Sequence, residues 1–202
     1  MRYTTRELVY IAVFGTVWGA LEMTVGSYLH MLNVPQTGTI LTAMGIVILL
    51  VGRTFVPRRG ATVLMGLVTA FLKMLSVGGI VLNPMIAIFM ESLLVEVGLG
   101  SRGLSRGRFV LAGTLGASWN IVHPFFTQGL LAGWGITRVY TWLLGGVSRL
   151  LGIELQHTLL LILAFLAIRS LSGALAGLIG WEMARTVRKR MGRETEMKVE
   201  LL

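Results

Sequence analysis

Six ionisable side chains interrupt otherwise apolar stretches of this 202-residue chain: Glu22, Lys73, Glu91, Glu96, His123 and Arg169. The densest group is Trp119, Asn120 and His123. Spacings of three and four residues put these side chains on one face of a helix. An indole plate beside an amide and an imidazole suits a flat heteroaromatic solute, whose ring stacks while the polar groups read its edge. Trp18 and Glu22 repeat the i,i+4 spacing. A carboxylate at Glu22 or Glu91 can accept from an amino-substituted ring or balance a cationic one. Acid–base chemistry at Glu91, His123 or Glu96 would need paired groups at one depth, and no nucleophile motif accompanies them. Without cysteine there are no disulfides, zinc thiolates or thiol nucleophiles. The eleven methionines form no metal-ligand pattern, and no metal site or cofactor is expected. No P-loop is present, so energy must come from an ion gradient or from a partner that uses ATP.

Buried charges of this kind are costly in hydrocarbon and mark function there, and the elements around them read as membrane spans. The chain is 54% hydrophobic and 13% charged and contains no Asp, whereas a soluble domain is roughly one quarter charged. Six helices are expected at Leu8–Leu29, Thr39–Val56, Ala61–Val77, Pro84–Leu99, Phe109–Leu131 and Gln156–Val187, with an amphipathic segment Ile136–Ile153 before the last. The sixth is read either as one tilted helix or as two pieces broken near Arg169–Gly173. Fourteen of the eighteen Lys and Arg residues fall at the two termini and in the second and fourth connections, while those around Met31–Gln36 and Val77–Asn83 have none. This alternation is the positive-inside pattern. It predicts an all-α integral membrane protein of six transmembrane helices with both termini cytoplasmic. The +9 net charge then reflects topology and attraction to anionic lipid rather than nucleic acid. Residues 1–190 read as one transmembrane domain and 191–202 as a charged tail, frayed or disordered. No cleavable signal peptide is evident.

The topology orders the polar groups by depth. At ~1.5 Å per residue, Glu22 lies about 10 Å, Glu91 about 15 Å and Arg169 about 20 Å below the outer ends of their spans. Asn120 and His123 fall in the outer half, Lys73 near the outer end, and Glu96 near the cytoplasmic surface. Plainer roles compete. Asn83 before Pro84 reads as a helix cap, and Glu96 as a membrane-edge partner of Arg102 or Arg106. Lys73 can snorkel outward, and Trp134 and Trp142 suit the interfacial belt. His123 before Pro124 can satisfy a kink. His30 and His157 read as solvated, and Arg169 reads equally as a buried partner of Glu91 or as a ligand contact. Rows of small residues form a second pattern: Ala12, Thr16 and Ala20; Gly15 and Gly19; Gly173 and Gly177; Ala176 and Gly180. Such rows serve close contact within the chain or dock another membrane subunit.

With six spans, about 200 residues, no ATP motif and a small-residue stripe on the first helix, the chain resembles the substrate-binding S component of an energy-coupling factor (ECF) transporter. The opening Thr4-Thr5-Arg6-Glu7-Leu8-Val9-Tyr10-Ile11-Ala12 is similar to the start of many such subunits. So is the ending Gly173-Ala174-Leu175-Ala176-Gly177-Leu178-Ile179-Gly180-Trp181 with its basic tail. The stretch Asn83-Pro84-Met85-Ile86-Ala87-Ile88-Phe89-Met90-Glu91 is similar to the fourth helix of thiamine-type members. The resemblance implies a multi-pass protein of a prokaryotic plasma membrane, in an S-component-like bundle. It would capture a vitamin or precursor outside and join a coupling transmembrane subunit and two cytoplasmic ATPases, with no catalysis of its own. Carried over, the coupling interface falls on Ala12, Thr16 and Ala20 with Gly15 and Gly19 nearby. The chain departs from the family in having Thr in the middle of that row. The ligand site falls on Glu91, Trp119, Asn120, His123 and Arg169, to which the depth order adds Glu22. The polar set points to thiamine or its hydroxymethylpyrimidine moiety; Arg169 or Lys73 would suit an anionic vitamin. Metal-specific members use an N-terminal Met-His site, and this chain begins Met1-Arg2. The segment Ile136–Ile153 is placed to act as a gate. The competing class is a stand-alone secondary transporter, which usually carries inverted repeats; no repeat is visible here.

Overall fold

A computed structural model describes residues 3–32, 34, 36–75, 82–101, 104–131, 133–152 and 157–200. Arg102 and the expected helix ends Val77, Ile153 and Gln156 lie outside the described residues, as do the side chains of His30 and of 192–200. The described residues form seven α-helices and one π-helical turn: α1 Thr5–Met31, α2 Thr37–Phe55, α3 Ala61–Lys73, α4 Leu82–Leu99, α5 Arg106–Pro124, the π-turn Phe125–Leu131, α6 Ile136–Leu151 and α7 Thr158–Glu200. No strand occurs among the described residues.

Local chemistry sets several of the ends. Thr4 and Glu7 form a reciprocal capping box at α1: the Thr4 N–H donates to Glu7 Oε2 at 2.8 Å and the Glu7 N–H to Thr4 Oγ1 at 3.3 Å. Gly60, at φ 85°, turns the chain into α3 in a left-handed conformation that glycine adopts without strain. Pro124 lacks an N–H and cannot continue the hydrogen-bond ladder, and the helix passes there into the wider π-turn. α7 is a single unbroken helix through Arg169 and Gly173. It continues to Glu200, into the charged segment from 191 on that the sequence reads as frayed or disordered.

Six helices close a ring in the order α1, α3, α4, α5, α7, α2, with α2 also reaching α4 and α5 across the middle. Trp18, Ile46, Leu49, Leu50, Met65, Val95, Leu99 and Phe109 fill the interior. Glycines allow the closest approaches. A Cβ on Gly177 would fall 2.7 Å from Val110 Cα, and one on Gly15 2.7 Å from Val68 Cβ. α6 lies outside the ring, where Leu144 and Val147 pack on Leu161 and Phe165 of α7. Large apolar side chains cover the exterior, including Val9, Val13 and Val17 of α1 and Leu163, Leu171 and Leu175 of α7. Thr5–Leu29, Thr37–Phe55, Leu82–Leu99 and Leu159–Met191 are long and apolar enough to cross a membrane. α3 is apolar but has 13 residues, about 20 Å of helix, and α5 begins with Arg106 and Arg108. The fold is therefore all-α, with apolar helices of the kind found in multi-pass membrane proteins.

Candidate ligand site

One end of the ring holds the chain's N-terminus and the α2–α3 turn; the distal end holds the α1–α2 turn and the start of α4. Polar side chains gather at the distal end from α2, α4, α5 and α7. Thr42 of α2 is central: its hydroxyl donates to Glu91 Oε1 of α4 at 2.6 Å and accepts from Asn120 Nδ2 of α5 at 2.9 Å. Thr42 and Glu91 are buried. Trp119 and His123 lie on the same face of α5 as the spacing requires, with ring centroids 5.9 Å apart, and Phe126 extends the aromatic patch at 6.5 Å from Trp119. His123 Nε2 lies 3.4 Å from the Asn83 carbonyl. Arg169 of α7 donates to Thr39 of α2 and lies 5.2 Å from the Phe165 ring centroid.

Several sequence expectations meet different partners. Lys73 does not snorkel free: its ammonium lies 3.6 Å from Glu22 Oε2 and donates to the Glu22 carbonyl at 3.0 Å. Glu22 is thus already engaged across α1 and α3. Arg169 and Glu91 form no ion pair among the described residues; each is held instead by a threonine of α2. Asn83 is no cap. It lies inside the first turn of α4, with Oδ1 buried and lacking a hydrogen-bond partner. Trp18 belongs to the core, against Gly45, rather than to the site. Trp134 and Trp142 pack edge to face, with Arg138 over Trp134 at 4.3 Å. His157 is exposed.

Glu96 lies at the opposite end. Its partner is Arg53 of α2, at 3.6 Å, and not the expected Arg106; the alternative Arg102 lies outside the described residues. Its other oxygen accepts from the Thr62 N–H at 3.2 Å and the Thr62 hydroxyl at 2.5 Å, capping the start of α3. Arg53 also donates to the Val56 carbonyl at the end of α2. Tyr3 donates to the Arg59 carbonyl beside this network at 2.6 Å. Burial, and then the Glu96 carboxylate, raise its phenol above the ordinary value and keep the donor proton in place.

The sequence reading missed Thr39 and Thr42. Hydroxyls inside apolar helices commonly bond their own preceding turn, as Thr24 and Ser118 do here. Nothing in spacing alone separates those from the two that reach across helices. Three buried polar atoms at the distal end, Trp119 Nε1, Asn83 Oδ1 and Arg169 Nε, have no partner among the described residues. Buried polar atoms are normally satisfied, so these leave hydrogen-bonding capacity at this end, as Arg53 Nε and Glu96 Oε1 do at the other.

The chain matches no known family, no curated protein and no solved structure.

Proposed function

We propose that this chain is the solute-capture subunit of an ECF-type importer, taking up a vitamin or vitamin precursor, with thiamine or its hydroxymethylpyrimidine moiety as the best fit. In this reading all six ring helices cross the membrane, both termini are cytoplasmic, and the distal end faces outward. The observation that carries the reading is the Thr42–Glu91–Asn120 chain beside the Trp119–His123 plate, with Trp119 Nε1 and Asn83 Oδ1 still unsatisfied. That set offers one carboxylate, one amide and a stacking surface to a flat, nitrogen-rich ring. Glu22 and Arg169 border it. The chain itself catalyses nothing; a coupling transmembrane subunit and two cytoplasmic ATPases supply the work. The test is thermal denaturation of the purified protein with thiamine, its pyrimidine and other vitamins. A ligand at a hundredfold over its Kd should raise Tm by roughly 5–10 °C. If none of them moves Tm, the substrate reading fails.

The small-residue rows of α1 part company in a way that makes docking testable. Ala12, Thr16 and Ala20 are exposed, while Gly15 and Gly19 are buried against Val68 and Leu72 of α3. Ala12→Trp should abolish copurification with a coupling subunit and leave solute binding intact. Gly15→Trp should instead lower the yield of folded protein, because there is no room for the ring. Equal loss of folded protein in both variants would remove the docking role.

A second reading, a stand-alone secondary transporter, is favoured by the buried Lys73–Glu22 pair near Glu91, since intramembrane ion pairs serve as relays. Uptake into proteoliposomes by this chain alone, driven by an ion gradient, would favour it over the first.

A further inference from the structure

Just below the Arg169–Thr39 contact, the exterior of the bundle is indented. An apolar groove of about 480 Å³ runs between α2 and α7 with one wall from α1, lined by Leu21, Ala43, Val47, Ser172, Leu175 and Ile179 among others. The spacing makes it continuous with the polar contact above. On α2, Thr39, Ala43 and Val47 follow one another at intervals of four; on α7, Arg169, Ser172, Ala176 and Ile179 follow at three, four and three. Both stripes converge on the Arg169–Thr39 hydrogen bond. Leu175 and Ile179 are more than half exposed, so the groove opens outward.

Level decides what can fill it. α2 has 19 residues, about 28 Å of helix, close to the ~30 Å of bilayer hydrocarbon. Thr39 is its third residue, which puts the guanidinium of Arg169 at the hydrocarbon boundary, where headgroups lie. Arg169 Nε is buried and has no partner among the described residues. The nearby carboxylate of Glu91 is occupied by Thr42, and that of Glu22 by Lys73. A cation at headgroup level above an apolar groove at chain level matches an anionic amphiphile end to end. Arginine is suited to a phosphate there, because its fork donates two parallel hydrogen bonds.

We propose that the α2–α7 groove holds an acyl chain of an anionic phospholipid whose headgroup phosphate is bound by Arg169. The lipid would fill an indentation in the wall of the bundle and satisfy a buried donor. The inference does not depend on the identity of the captured solute and is tested without any solute present.

The full-length chain is reconstituted in phosphatidylcholine bilayers with a trace of phosphatidylglycerol or phosphatidylcholine carrying a nitroxide on the acyl chain. Electron paramagnetic resonance then measures the immobilised fraction. Phosphatidylglycerol should be immobilised in preference to phosphatidylcholine, with about fivefold of that preference coming from the one contact at Arg169. Arg169→Gln should lower the preference about fivefold, to what the remaining Lys and Arg residues attract by themselves, and Ser172→Phe, which fills the groove, should remove the same share of immobilised phosphatidylglycerol. Ala43→Phe, from the facing wall, gives the same reading should Ser172→Phe fail to fold by circular dichroism. No preference in the wild type, or a preference unchanged by both Arg169→Gln and a folded groove-filling variant, overturns the proposal. So does a groove that resists lipid but loses another protein on filling.

Discussion

Glu96→Ala should destabilise the protein by about 3–5 kcal/mol, because it leaves a buried guanidinium without its counter-charge. Arg53 is only 4% exposed and its carboxylate partner is 3.6 Å away. Its hydrogen bond to the Val56 carbonyl does not neutralise it. The same substitution uncaps α3 by removing the acceptor for the Thr62 N–H and hydroxyl; loss of a cap typically costs ~1 kcal/mol. Glu96→Gln separates the two effects, since the amide oxygen still accepts from Thr62 but carries no charge. Denaturation in detergent should rank wild type above Glu96→Gln and Glu96→Ala lowest. Arg53→Met in the Glu96→Ala background should recover much of the loss, since it removes the stranded charge. If Glu96→Ala melts with the wild type, the pair contributes little and the α2–α4 contact rests on apolar packing alone.

Glu91→Gln should weaken solute binding by roughly 10- to 100-fold, the value of one charge-assisted hydrogen bond at about 1.5–3 kcal/mol. The fold should survive, because glutamine keeps an oxygen to accept from Thr42 at the position of Glu91 Oε1. His123→Ala should weaken binding by about tenfold, through loss of one face of the aromatic patch and of the contact to the Asn83 carbonyl. The two residues project from α4 and α5 and touch different partners, so their effects should add. Isothermal titration with the solute identified by mass spectrometry of the purified protein measures both. Unchanged affinity in both variants would move the site elsewhere.

Some element ends were legible: Ala61 begins α3 and Leu99 ends α4 as expected. The Thr4–Glu7 capping box was not, and it opens α1 at Thr5, three residues before the expected Leu8. The face shared by Trp119, Asn120 and His123 was legible because helical spacing fixes it. Partner choice was not. Glu96 was expected to meet an arginine close in sequence, and it meets Arg53, 43 positions away, because α2 crosses the middle of the ring and reaches α4. Lys73 found Glu22 because α1 packs on α3, an adjacency that periodicity does not encode. The two small-residue rows of α1 fared differently for a related reason. Gly15 and Gly19 looked equivalent to Ala12 and Thr16, and only the position of α3 shows which row is covered. The threonines of α2 were invisible because a hydroxyl that crosses between helices reads the same as one that bonds its own turn.

The apolar run of α7 is longer than a bilayer is thick. Leu159–Met191 has 33 residues, about 50 Å of helix, and a tilt of even 40° accommodates only about 39 Å of it in a ~30 Å hydrocarbon layer. In the proposed membrane placement an overhang of at least about seven residues therefore emerges. Because Arg169 is level with the third residue of α2, the protruding part is the stretch before it, from Thr158 on. Bare leucines standing in water would be a liability, and that is where α6 lies, with Leu144 and Val147 clamped on Leu161 and Phe165. The amphipathic helix splints one face of an overlong rod and leaves Leu159, Leu160 and Leu163 on its other faces exposed. Shortening that rod by two turns should make the splint dispensable.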